Sequence, residues 1–443
     1  MSTSPSLATV VEHLRRAPMT RRLGRVESFN GLVVEALGPD VVLGERCLIE
    51  GVAGHQVDAM VVGFRAGLTQ LMPYGELTGI APGHLVRALG RGVDVGVGEA
   101  LLGRVVNAHG TPLDDGPALV LTERYPLARP TINPLHRLPI ERVLETGVRA
   151  IDTLLTLGEG QRMGIMAGSG VGKSTLLGAL ARQVDADVTV LALIGERGRE
   201  VHEFLQHSLG KEGLKRSVVV VATADEPALM RTQAAHAAHA VAEYFRDQGK
   251  AVLLVVDSMT RFAMAQRDIG LSVGEPPTFR GYTPSVFAQL PRMLERCGRV
   301  RGGGSITGIY SVLVEGDDMN EPITDHMRAI LDGHIILDRA LAARGHHPAI
   351  DVLHSTSRLI SALSTVTEQD VARQARRELA VYEGARDLVD MGAHQPGANP
   401  ELDGVLERRA VLEAFLQQRP NERSARSAAL AQLGRALARE DRA

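Results

Sequence analysis

Residues 167–174 read Ala-Gly-Ser-Gly-Val-Gly-Lys-Ser, between an apolar run (Met163 to Met166) and a helical pattern (Thr175 to Arg182). A strand, a small-residue loop and a helix together make the setting a phosphate cradle needs. Small residues let successive backbone N–H groups turn inward into an anion nest. The start of the following helix adds a positive dipole end aimed at the phosphates. Lys173 then reaches the outer phosphates, and the Ser174 hydroxyl suits Mg²⁺. The candidate nucleotide-binding residues are therefore Gly168, Ser169, Gly170, Val171, Gly172, Lys173, Ser174 and Thr175. Ala167 stands where the motif usually has its first glycine, but the inner glycines carry the close backbone approach. The ordinary alternative is a flexible loop that matches by chance; the flanking strand and helix favour the nucleotide.

Three further positions carry chemistry. Ala251 to Asp257 is a run of Val and Leu ending in an acid. Alone, such an Asp is a turn or cap residue; beside a phosphate loop in a parallel sheet it suits the acid that holds Mg²⁺. Ile194-Gly-Glu196-Arg-Gly-Arg-Glu200 ends the strand after the phosphate-loop helix. The carboxyl ends of parallel strands face one crevice, so Lys173, Glu196 and Asp257 are predicted to converge. Two readings of Glu196 stand level: a carboxylate that orients the attacking water, or a surface ion pair with Arg197 or Arg199. Arg358 ends Asp351-Val-Leu-His-Ser-Thr-Ser-Arg358. A guanidinium there can neutralise charge on a transferring phosphoryl group, often from a neighbouring subunit; by spacing alone it reads as an ordinary solvated arginine.

The elements that must position these groups follow from patterning. With 443 residues and a formal net charge of −3, the chain is long enough for two to four domains and advertises no global attraction to nucleic acid. Tryptophan is absent, so aliphatic residues must build the core. Cys47 and Cys297 follow neither a metal spacing nor a disulfide framework, which suits a reducing cytoplasm. No signal peptide and no apolar stretch near 18 residues is evident, so no membrane span is expected. Leu7, Val10, Val11 and Leu14 recur at helical spacing, which fits a docking element, a membrane-surface element or a frayed helix equally. Short apolar runs (32–36, 41–43, 57–64, 68–72 and 85–88) between Gly, Pro and Asp turns predict a small antiparallel β-barrel. From about 138 to 363, apolar strands alternate with helices: Arg162 to Ala167, Val188 to Ile194, Val218 to Ala222, Ala251 to Asp257, Ser305 to Val314 and His334 to Leu337. That alternation predicts an α/β fold with a parallel sheet covered on both faces. Beyond Thr365 the chain reads as helix. The predicted divisions are an N-terminal amphipathic docking helix (1–22), a β-barrel (23–95), a nucleotide-binding domain with its connecting segment (96–365) and a helical C-terminal domain (366–443).

These segments together resemble one family, the type III protein-export ATPases of bacterial flagella and injectisomes, which are similar to the catalytic subunit of rotary F-type ATP synthases. The resemblance lies in Ala167 to Leu177, Ile194 to Val201, Asp257-Ser-Met-Thr-Arg-Phe-Ala-Met-Ala-Gln-Arg267, Gly270 to Pro277, Gly281 to Leu290, Gly304 to Pro322 and Pro348 to Arg358. It extends to Gly392-Ala393 and Leu412 to Gln417. It implies a RecA-like phosphate-loop core between barrel and helical domain, assembled as a homohexamer that hydrolyses ATP with Mg²⁺. It gives Glu196 the general-base-like role, Arg358 that of a trans-acting arginine finger, and Arg197 and Arg261 places near the γ-phosphate. Ser174 and Asp257 become the Mg²⁺ residues. Where the family often sets an aromatic against adenine, this chain has His347, which offers less surface and puts adenine selectivity in question. The acidic stretch Glu315-Gly-Asp-Asp-Met-Asn-Glu321 lacks calcium-loop spacing; by resemblance it is the loop facing the central channel, where a stalk protein could touch it, with a plain solvated loop as the alternative.

By the same resemblance, hydrolysis serves delivery of export substrates and their chaperones to a membrane-embedded gate. A stator-like regulator docks on the N-terminal helix, and the protein is cytoplasmic and peripheral at the inner membrane face. The flagellar system is favoured over an injectisome, with a synthase-type rotary subunit a more distant rival. A RecA-like RNA translocase is disfavoured, because the first 95 residues hold only Phe29, Phe64 and Tyr74 as stacking platforms. A non-catalytic nucleotide-binding scaffold is the rival of a different class. His236 and His239 lie three apart on a predicted helix, but no third metal ligand accompanies them.

Overall fold

The computed structural model describes residues 21–438. The amphipathic pattern at Leu7 to Leu14 lies outside them. The chain forms two compact units, one of residues 21–93 with Asp268–Pro276, the other of Asp94–Arg267 with the residues from Pro277 onward.

The first unit is a closed six-stranded barrel. Its strands are β1 (Leu23–Asn30), β2 (Val33–Leu37), β3 (Arg46–Glu50), β4 (Gln56–Arg65), β5 (Leu68–Pro73) and β6 (Leu85–Ala88), in the order β1-β2-β5-β4-β3-β6. All pairs are antiparallel. Period-two alternation puts Cys47 and Ile49 of β3, and Val57, Ala59 and Val61 of β4, inward to one aliphatic core. Val41 to Leu43, expected as a strand, is instead the approach to a turn, with Val42 and Leu43 exposed. β1 went unpredicted because Leu-Gly-Arg-Val-Glu-Ser-Phe-Asn is mostly polar. It turns only Gly24 and Val26 fully inward, and a Cβ on Gly24 would lie 2.3 Å from the Gly38 backbone.

In the second unit, β7 (Asp94–Val97) pairs with β9 (Glu123–Pro126). The main sheet contains β8 (Val105–Asn107), β10 (Arg137–Leu138), β11 (Arg162–Ala167), β12 (Val188–Ile194), β13 (Ser217–Ala222), β14 (Ala251–Asp257), β15 (Gly298–Val300), β16 (Ser305–Leu313), β17 (Gly333–Leu337) and β18 (Ile350–Ser357). Its order is β18-β17-β11-β16-β14-β12-β13-β8, with β15 on β16 and β10 on β15. β17 through β8 are mutually parallel. β10, β15 and β18 run antiparallel, which the apolar pattern did not reveal. Every residue of β12 and β13 is buried, the reason those strands read as continuous apolar runs. The helix Ala228–Asp247 packs on this sheet through Ala234, Ala235, Ala237, Ala238, Ala240 and Ala242, all buried.

The interior beneath that helix holds polar groups that are all partnered. Arg296 and Glu243, each 3 % exposed, form a two-pronged pair at 2.8 and 2.9 Å. His239 lies 2.8 Å from the Ala235 carbonyl through Nδ1 and 3.0 Å from the Tyr310 hydroxyl through Nε2. Both ring nitrogens are thereby engaged in the core. His236 packs edge-on to Phe262. Cys47 and Cys297 are free and buried.

The tail is helical: Val366–Asp390, Pro400–Leu416 and Arg426–Leu437. Thr365 and Glu368 close a capping box on the first, and Asn399 with Pro400 starts the second. Arg149, nine-tenths buried, ties the end of Pro400–Leu416 to the core through the Phe415 and Gln417 carbonyls at 2.9 and 2.5 Å. Among the described residues no helix is long and apolar enough to cross a membrane.

Candidate nucleotide site

The phosphate loop leaves β11 and enters the helix Lys173–Gln183. Gly170 and Gly172 have φ of +79° and +90°, a region that costs a side-chain-bearing residue about 1–2 kcal/mol. Gly172 caps the helix, and the amide of Leu176 donates to its carbonyl at 3.0 Å. Ala167, the departure from the motif, is the last residue of β11 and is buried in the core. A methyl group is accommodated there, on the strand side of the turn. Gly168 is tighter: its Cβ would lie 2.4 Å from Asp317 Oδ1 and 2.8 Å from an Arg339 guanidinium nitrogen. Asp317 and Arg339 pair with each other at 2.9 Å. The acidic stretch at 315–321 thus reaches the loop's first glycine. Ser169, Gly170, Ser174 and Thr175 are exposed.

Lys173, Glu196 and Asp257 come together as the carboxyl-edge rule predicts. The Lys173 ammonium pairs with Asp257 and lies 3.7 Å from Glu196 Oε1. Asp257 is 3 % exposed, and the Ser311 hydroxyl donates to its Oδ1 at 2.5 Å. Ser311 sits on β16, the strand between β11 and β14, which is why it reaches an acid 54 residues away in sequence. No motif in the sequence marked it.

The two readings of Glu196 are separable by geometry. Arg197 pairs with Glu200 at 3.0 Å and Arg199 with Glu203 at 2.7 Å, both in exposed positions. Neither arginine holds Glu196. Burial pushes the Glu196 carboxyl up to about 7, the Asp257 charge adds to the rise, and Lys173 opposes it. A half-buried carboxyl with that affinity for a proton is suited to orienting water and relaying a proton near neutral pH. Arg261 lies across Gly195, whose Cβ would meet the arginine Cβ at 2.9 Å. Its side chain therefore runs beside the strand end that presents Glu196. Arg197 is 81 % exposed.

A cleft of about 290 Å³ adjoins the loop, lined by Val171, Gly172, Thr175, His347, Gln418 and Pro420 among others. Its far wall comes from the helical tail. The Gln418 amide N–H donates to the His347 carbonyl at 2.9 Å, and its side chain donates to the Gly147 carbonyl at 2.7 Å. Mostly apolar lining with a few convergent polar groups is the composition of a nucleobase pocket. His347 was identifiable from its motif; Gln418, Arg419 and Pro420 were not, because nothing local ties a tail segment to a loop about 250 residues earlier.

Arg358 does not join this cluster. It follows β18, which runs antiparallel to β17, so Ser357 pairs with Gly333 at the start of β17. The loop lies beyond the other end, where Leu337 pairs with Ala167. The arginine is exposed at the sheet edge remote from its own chain's phosphate loop.

The donor set fits a magnesium nucleotide. Successive loop amides and an ammonium suit phosphate oxygens. A buried carboxylate and an exposed helix-start hydroxyl supply the hard oxygen ligands that Mg²⁺ takes.

Comparison with known proteins places most of the chain in one family. Residues 147–357 match the ATP synthase alpha/beta family, nucleotide-binding domain. Residues 26–90 match that family's beta-barrel domain, and residues 365–435 match the T3SS EscN ATPase C-terminal domain. A flagellum-specific ATP synthase of Bacillus subtilis is 51% identical over 421 residues, covering 94% of this chain and 95% of that one. A type 3 secretion system ATPase of Xanthomonas euvesicatoria is 46% identical over 427 residues, covering 96% of each. The assembled ATPase EscN of the enteropathogenic E. coli type III secretion system superposes with a TM-score of 0.89 at 42% identity, covering 94% of this chain and 100% of that one. EscN has also been solved with its central stalk, EscO.

Proposed function

The chain belongs to the type III protein-export ATPases of the ATP synthase alpha/beta family, and from that premise we propose that it drives flagellar protein export by Mg²⁺-dependent hydrolysis of ATP at sites shared between neighbours in a homohexamer. Water attacks the γ-phosphate, the bond to the bridging oxygen breaks, and ADP and phosphate leave. Lys173 and the loop amides hold phosphate charge. Glu196 orients the water and takes its proton, and by the family resemblance Arg261 and Arg197 serve near the γ-phosphate. Arg358 of an adjacent copy completes the site by neutralising charge on the transferring group. Ser174 and Asp257 would hold Mg²⁺, which would supply further neutralisation of phosphate charge.

One observation carries this reading. The base, the ammonium and the metal acid cluster at one sheet edge, whereas the cationic finger stands at the opposite edge of the same chain. A heterologous contact that closes into a ring brings those two edges together at every interface. Specific activity measured against protein concentration tests it. Turnover per chain is expected to rise steeply with assembly; a flat profile down to a demonstrably monomeric chain would overturn it. The scaffold alternative is separated by Lys173→Ala and Glu196→Ala, which abolish turnover if the chain is an enzyme of this mechanism.

Flagellum-specific relatives at 51–52% identity against 46% for the secretion-system one favour the flagellar system, while other flagellum-specific relatives stand level with it at 45–46%. Neighbouring genes for rod and hook, rather than for a needle complex, are its check. The further expected partners are a stator-like regulator at the N-terminal segment, a central stalk protein at the acidic stretch 315–321, export substrates with chaperones, and an export gate. That role entails a cytoplasmic protein held peripherally at the inner membrane face. Co-sedimentation with inverted membranes that contain or lack the gate tests that placement.

A further inference from the structure

A second cavity of about 290 Å³ opens beside Arg358, lined by Asp325, Arg328, His334 and Thr356 as well. Arg328 lies on the helix Pro322–Ile330 and Arg358 just past β18, so two separate elements each bring an arginine to the wall of one cavity. Neither has a carboxylate in ion-pair distance among the described residues. Asp325, one turn earlier on the same helix, lines the cavity as well but forms no ion pair with either arginine, and both Asp332 oxygens bond Arg162, at 2.9 and 3.0 Å. The Arg328 Nε is buried and has no hydrogen-bond partner among the described residues. Burial lowers the affinity of His334 for a proton, and Arg328 and Arg358 both lower it further, so the two cations act on one spot. His334 itself is spoken for, its Nε2 lying 3.2 Å from the His354 carbonyl.

Two guanidiniums and one carboxylate on a single cavity leave it net positive, with neither arginine held in an ion pair, which favours an anion there. We propose that Arg328 is a second trans-acting cation, which binds the terminal phosphate of the neighbouring copy's nucleotide together with Arg358. This rests on the trans reading of Arg358 and adds to it. A single finger supplies one fork of donors. Two guanidiniums from different elements grip a phosphoryl group from two directions, which fixes its orientation for in-line attack. The neighbour's nucleotide is favoured over a free anion because Arg358, by family resemblance, already serves that phosphate.

Mixed rings test it. Arg328→Ala rings are expected to turn over ATP about 10- to 100-fold more slowly than wild type, the range for losing a charged hydrogen bond. Arg328→Lys is expected to retain part of the activity. Adding Glu196→Ala copies, inert at their own sites but carrying intact Arg328 and Arg358, is expected to restore turnover to the Arg328→Ala copies. A purely structural role within the chain predicts no such rescue. Wild-type turnover by Arg328→Ala overturns the proposal. So does a deficit that persists in mixed rings, whether the variant is retained on a tagged Glu196→Ala copy or fails to join it. Arg358→Ala put through the same mixing separates the two ideas. If Arg358→Ala is fully active alone, the trans reading itself is wrong; if it is rescued while Arg328→Ala shows no deficit, only the second cation is wrong.

Discussion

The backbone N–H of Arg358 donates to the Asp332 carbonyl at 2.9 Å, and that bond holds the arginine where β17 begins. β17 then runs five residues to the phosphate-loop edge, roughly 16 Å at about 3.3 Å per residue. One arginine side chain does not span that length and the turn beyond it. Arg358→Ala is therefore expected to cost about 10³ to 10⁵ in turnover while leaving nucleotide affinity of the unassembled chain unchanged. Binding titrations beside steady-state rates check this. An affinity that falls in step with the rate would mean that the arginine serves its own pocket.

Glu196 is expected to set the pH response. Burial first, then Asp257, raises its carboxyl to about 7. Only the ionised form orients water as a base, so kcat/KM is expected to fall as pH drops through about 7. Glu200, which bonds Glu196 and repels its charge, adds to the rise; Glu200→Gln should shift the acidic limb to lower pH. A limb that stays in place assigns the ionisation to another group. The same raised value affects stability. The folded chain holds this proton between about 4.5 and 7, where the unfolded chain releases it, so the group's contribution falls as pH rises through that interval. Glu196→Gln should stabilise the fold more at pH 8 than at pH 5, as read by denaturant titration.

Gly168 reports on the acidic stretch. A methyl there collides with the Asp317–Arg339 pair. Gly168→Ala is expected to raise KM for ATP, and Asp317→Ala in the same chain to recover part of the loss by vacating the space. If Asp317→Ala recovers nothing, the glycine is needed for the backbone turn alone.

His347 lines the cleft beside the phosphate loop, where the proposed function puts the base. A ring stacked on a base is worth about 0.5–1.5 kcal/mol, or roughly 2- to 12-fold. His347→Ala should raise KM for ATP by that factor, and His347→Tyr should lower it and sharpen the preference for ATP over GTP. Equal effects on both nucleotides would place the base elsewhere.

The Glu243–Arg296 pair lies far from any phosphate chemistry and tests the core. Removing one partner strands the other charge at 3 % exposure. Glu243→Ala is expected to destabilise the fold by about 3–5 kcal/mol, seen as a lower midpoint in denaturant. A loss below about 1 kcal/mol would show that Arg129, 3.5 Å from the same Glu243 oxygen that Arg296 bonds, belongs to a network that rearranges.

Short-range pattern gave the strands Arg162–Ala167, Val188–Ile194 and Ala251–Asp257 to the residue. Together with the rule that parallel strands share a carboxyl edge, it also brought Lys173, Glu196 and Asp257 to one crevice. Those features are written in periodicity and in glycines, which act over a few residues, so a sequence exposes them. The direction of β18 is not written that way, because antiparallel pairing with β17 depends on which neighbour lies across the sheet. Only the fold could put Arg358 at the far edge, free Glu196 from Arg197 and Arg199, bring Ser311 to Asp257 and fold Gln418 over His347. Each of these is a contact between segments whose nearness is decided by packing, and packing acts through space with no local signature in the chain.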